Sequence, residues 1–61
     1  MQIRIQPAPG HRYDATLYMN DEPIEFVNDK RPGCCVRSLM NKMMLIHGKP
    51  TDEIVIDIDG W

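Results

Sequence analysis

Only Pro32 to Gly48 has helical periodicity, and everything else reads as short strands and turns, so this chain must be built on a lone helix. At about 100° per residue, Val36, Leu39, Met40, Met43 and Ile46 fall on one broad stripe, flanked by Cys35 and Met44. Arg37, Ser38, Asn41 and Lys42 take the other side. Asp29 is the expected N-cap, and Pro32 fits the first turn because its missing N–H has no helical partner there. Gly48, able to take the left-handed conformation, and then Pro50 stop the helix. A helix of this length is marginal alone in water, so it needs a surface made by strands.

Met1 to Gln6 alternates, with Met1, Ile3 and Ile5 on one side and Gln2, Arg4 and Gln6 on the other, as in a half-buried strand. Pro7-Ala8-Pro9-Gly10 is expected to break it. Tyr13 to Met19 alternates again. Asn20-Asp21 then predicts a two-residue hairpin turn, because both residues tolerate positive φ. That turn sets Tyr18 against Pro23, Leu17 against Ile24 and Ala15 against Phe26. Pro23 lacks a donor and marks the third strand as an edge. After a connection at Lys49-Pro50-Thr51, Glu53 to Asp59 forms the last strand, with Ile54, Ile56 and Ile58 inward and Val55, Asp57 and Asp59 outward.

The expected fold is therefore α+β, in the order β-β-β-α-β: one helix on one face of a four-stranded mixed sheet. The edge at Pro23 predicts a strand order of 3-2-1-4, with the fourth strand parallel to the first through a right-handed crossover. A fourth strand beside the third is the other arrangement.

A chain of 61 residues makes one small domain, residues 1–61, and buries only roughly 60% of its unfolded surface. Cys34 and Cys35 are adjacent and cannot staple a loop, and with His11 and His47 they lack metal-cage spacing. No metal and no cofactor are expected. A net charge of −2 exerts no global pull towards nucleic acid. No apolar run approaches the ~20 residues of a membrane span, and the first residues do not read as a signal peptide. With unpaired cysteines, a cytoplasmic location is expected.

With Gly10, Tyr13 and Ala15 at the start of the pattern, this order of elements resembles the opening half of the ribonuclease-H-like fold. In size and order it is similar to small HicB-type antitoxins, which bind and block an RNA-cleaving partner. The resemblance is one of topology across the inferred core, and it implies an inhibitor. Ribonuclease-H-like nucleases hold divalent metal on clustered carboxylates beginning on the first strand. Here that strand offers Arg4 and no acid, so nuclease activity is not expected.

Several residues carry a sharp reading beside a bland one. Cys34, in the first helical turn near Lys30 and Arg31, has surroundings that favour a thiolate, but no general base is identifiable beside it. The bland reading makes Cys35 a core filler and Cys34 partly exposed. His47 is expected to bond the last helical carbonyls. Lys30, Arg31, Arg37 and Lys42, with Leu45 pointing outward among them, could grip an acidic protein surface or a phosphate backbone; the bland reading is a solvated face. The open sheet face is expected to carry Asp14, Glu25, Asp57 and Asp59 against Arg4, with Tyr18 its one aromatic. That chemistry does not suit an RNA-recognition platform. Trp61, just past the last strand, is either an interface anchor or a lid on the end of the core.

Together these features predict a non-enzymatic regulatory or inhibitory protein that binds another protein through Lys30, Arg31, Arg37, Lys42, Leu45, Tyr18 and Trp61. An antitoxin-like or phage accessory role fits, with a homodimer through an edge strand or the open sheet as an expected addition. The second reading is a nucleic-acid-binding module using the basic side of the helix. A thiol-dependent role at Cys34 is the third.

Overall fold

The computed structural model describes residues 1–48 and 53–59. Three strands, β1 (Gln2–Ala8), β2 (Arg12–Met19) and β3 (Glu22–Asp29), precede the helix α1 (Pro32–Ile46), and β4 (Val55–Ile58) follows. They form one mixed sheet in the order β3-β2-β1-β4, in which β4 runs parallel to β1 and the other pairs are antiparallel. The expected architecture is the one found. The described chain has a Cα radius of gyration of 11.0 Å, close to the ~10.5 Å of a compact domain of this length.

Local chemistry explains the meander. Asn20 and Asp21 both have positive φ, 52° and 64°, and make the two-residue turn that the paired residues Met19 and Glu22 enclose. Gly10 and His11 also have positive φ and turn the chain within a three-residue connection, Pro9 to His11, enclosed by the paired residues Ala8 and Arg12. Pro7 does not end β1 as expected, since the strand continues to Ala8 with Pro7 opposite Tyr13. In β1 the odd-numbered residues turn their N–H groups towards β4, and β4 ends at Ile58, opposite Ile5. Pro7 therefore lacks its donor where no ladder bond is made.

The β2–β3 register departs from expectation within one turn of the hairpin. Tyr18 faces Pro23 as predicted, but a bulge between Leu17 and Tyr18 then shifts the pairing. Leu17 stands opposite Glu25 rather than Ile24, Ala15 opposite Val27, and Thr16 opposite Phe26. One extra residue in one strand exchanges the two faces beyond it. Val27 thus joins the core side and Phe26 turns to the open face. The helix packs chiefly on β3 and β2, and Val27 packs against the core there.

The fully buried core is Ile3, Ile5, Ala15, Leu17, Cys35, Leu39 and Met43. The helix contributes three of these at i, i+4 and i+8, so the seam runs along Cys35, with Val36 and Met40 half-buried beside it. Ile46, predicted for the stripe, is 63% exposed. Arg31, with no side-chain cap bond, is the N-cap in place of Asp29. Asp29 is still in β3, paired with Tyr13, and its carboxylate accepts from the Lys30 amide at 2.6 Å. At the other end, Gly48 has φ +81°, the termination expected, while His47 bonds Met43 O at 2.7 Å through its backbone amide rather than its imidazole.

Candidate functional site

A helix is about 10 Å across, whereas four strands spaced about 4.8 Å apart span half as much again. One helix therefore covers about two strands. Here those are β3 and β2, with β1 touched less and no substantial contact between the helix and β4. Ile54 and Ile58 still pack against the core, but Ile56, expected to be buried with them, is 47% exposed. Its register partner is the fully buried Ile3, so Ile56 points to the helix side of the sheet and finds no helix there. Val55, on the other face, is also more than half exposed, as are Met44, Leu45 and Ile46 in the last helical turn.

The two outer strands present different edges. On β3, Pro23 removes one donor, the bulge disturbs the ladder, and Lys42 Nζ donates to Phe26 O at 3.3 Å. Each of these blunts an edge against further pairing. On β4, Val55 N–H donates to Met1 O at 3.0 Å and Asp59 N–H to Ile5 O at 2.8 Å. Successive strand residues aim their polar groups to opposite sides. Val55, Asp57 and Asp59 therefore bond to β1, and Ile56 and Ile58 aim N–H and C=O at the free edge. Nothing among the described residues pairs with it.

The open face is divided electrically. Around β2 and β3, Arg12 donates to Asn28 Oδ1 and to Asn28 O, and Asn28 Nδ2 donates to Asp14 Oδ1 at 2.6 Å. Arg12 thus offsets Asp14, and Glu25 is removed from this face by the bulge. The expected acidic face contracts to Asp57 on β4 and Asp59 just past its end. Arg4 stands opposite Asp57 in register, and its guanidinium lies 5.9 Å from the centre of the Tyr18 ring. These groups and Gln6 and Thr16 line a shallow depression of about 280 Å³.

The residues singled out from sequence are dispersed. Lys30 and Arg31 are exposed at the β3–α1 junction. Arg37 and Lys42, five residues apart, lie about 140° apart around the helix, and Lys42 is engaged at the β3 edge. Leu45 is 86% exposed, Tyr18 is half-buried on the open face, and Trp61 lies outside the described residues. Cys34 is exposed and Cys35 buried, its thiol donating to Tyr13 O at 3.7 Å. Burial pushes the Cys35 thiol above its ordinary value of 9.0, which keeps it protonated and inert. Among the described residues no group of three or more His, Cys, Asp or Glu side chains could hold a metal ion, and no helix is long and apolar enough to cross a membrane.

What the sequence reading missed is the exposure of Ile56, Ile46 and Phe26, together with the place of Arg12. The width of a single helix against four strands is the signal that could have found the first. No family model, no curated protein and no solved structure matches this chain.

Proposed function

We propose that this chain is a small non-enzymatic regulatory or inhibitory protein that acts by binding another protein. One observation carries the reading. Among the described residues the core holds seven buried apolar residues, while six large apolar side chains, Phe26, Met44, Leu45, Ile46, Val55 and Ile56, stand 47–86% exposed. Five of the six fall in two runs, at the end of α1 and on β4. These are the two places the core leaves uncovered, and large apolar side chains standing in water there are surface that a binding partner would bury. The resemblance in element order to HicB-type antitoxins leans the same way. The nucleic-acid reading is weaker, because the basic side chains are spread around the helix and one of them is held at a strand edge.

The test compares proteins retained from cell extract by the wild type and by Leu45→Lys/Val55→Lys, a variant altered only at exposed positions. A partner held by the first, lost by the second, and identified by mass spectrometry is the expected result, with thermal unfolding unchanged. Identical sets retained by both, or none, would sink the reading.

A further inference from the structure

We infer that the free edge of β4 docks an extended segment of the protein partner, and that this segment alternates apolar with basic residues. The inference rests on the protein-binding reading above and names the form its partner takes. Two edges are available, and among the described residues a missing donor, a bulge and a lysine bonded across the edge are found on β3 and not on β4. The β4 edge keeps the outward N–H and C=O groups of Ile56 and Ile58, fixed by the bonds of Val55 and Asp59 to β1. An added strand satisfies those groups and continues the sheet.

The side chains on either side of this edge state what the added strand must carry. Towards the helix side it meets the exposed flank of Ile56 and the half-buried Ile58, in a region the helix leaves uncovered. Towards the open face it meets Asp57 and Asp59. Arg4 already flanks Asp57 from β1. A Lys or Arg on the incoming strand flanks it from the other side, where an opposite charge directly across the strands is favourable. Because side chains alternate along a strand, one face of the partner segment is apolar and the other basic.

The same residues disfavour a second copy of this chain in the position. Two identical edges related by a two-fold axis pair antiparallel. A register centred on Ile56 sets Glu53 against Asp59 twice, one centred on Asp57 sets Asp57 against itself, and one centred on Val55 sets Glu53 against Asp57. Registers that match the faces therefore oppose carboxylates, and like charges directly opposite are destabilising. Shifting by one residue instead sets isoleucine against carboxylate.

The test uses two fluorescent eight-residue peptides, one alternating Lys with Val and one alternating Glu with Val, titrated with the full chain. The Lys peptide binds the wild type and the Glu peptide does not, and Asp57→Lys/Asp59→Lys reverses the preference. Ile56→Pro removes an outward amide without removing a bond to β1, so it weakens Lys-peptide binding at least tenfold. A Lys peptide N-methylated on alternate amides loses binding to the same extent and probes those hydrogen bonds with the protein unaltered. Equal binding by Ile56→Pro and of the methylated peptide means that charge alone holds the peptide, and overturns the inference. So does a wild-type dimer in sedimentation that Ile56→Pro dissociates. If neither peptide binds while extract capture remains sensitive to Leu45→Lys, the edge assignment falls and the protein-binding reading stands; if capture fails too, both fall.

Discussion

Cys35 shows how one buried side chain serves both packing and pH response. It is the smallest member of the helical seam and fits directly above β2, where its thiol reaches Tyr13 O. Burial raises its ionisation above 9.0, although a backbone hydrogen bond at Asp29 pulls the other way. The unfolded chain therefore ionises first as pH rises. The stabilisation is fully present below about pH 9 and is lost as pH climbs through the raised folded value. The urea midpoint should fall as pH rises above about 9, and Cys35→Ala should show a shallower fall over the same range. Gly48 is a second position governed by one residue's physics. A Cβ there would meet nothing within 4 Å, so the cost of Gly48→Ala is conformational, from φ +81° alone. We expect a loss of about 1–2 kcal/mol in urea unfolding, and a smaller loss for Gly48→Asn.

At the scale of elements, the helix holds the fold and leaves part of it open. Its fifteen residues give a cylinder about 22 Å long, and Cys35, Leu39 and Met43 take up its buried line. Beyond Met43 the last turn carries Met44, Leu45 and Ile46 into water. Leu39, fully buried at the centre, anchors the contact with the sheet. Leu39→Ala should cost about 2–5 kcal/mol, comparable with the ~3–5 kcal/mol a core of this size supplies. That variant should show little or no cooperative thermal transition at 25 °C and above by circular dichroism. A variant that melts within a few degrees of the wild type would mean that the helix is not what holds the sheet together.

For the molecule as a whole, charge is divided rather than excessive. A net charge of −2 resolves into an acidic corner on β4, an Arg12–Asn28–Asp14 hydrogen-bond chain across β2 and β3, and basic side chains spread from the β3–α1 junction around the helix. A phosphate backbone is held by several cations on one continuous track, and log affinity then falls steeply with log salt. Here Arg37 and Lys42 point about 140° apart. Labelled single-stranded RNA and duplex DNA should therefore give flat anisotropy titrations from about 50 to about 200 mM salt. Saturable binding that weakens with salt and is lost in Arg37→Ala/Lys42→Ala would instead establish the nucleic-acid reading.

Read alone, the sequence determined the elements, their order and the sheet's arrangement, because those follow from short-range physics. Period-two alternation marks strands, Asn20-Asp21 accept positive φ, Pro23 cannot donate at a paired edge, and Gly48 ends a helix. Only the tertiary structure decided which apolar residues are buried. Alternation cannot announce a bulge, and a single extra residue in β3 turned Phe26 out and Val27 in. Nor can the apolar spacing of Ile54, Ile56 and Ile58 tell how far a helix extends over a sheet. Burial needs a second surface in contact, and the width of one helix leaves Ile56 without one.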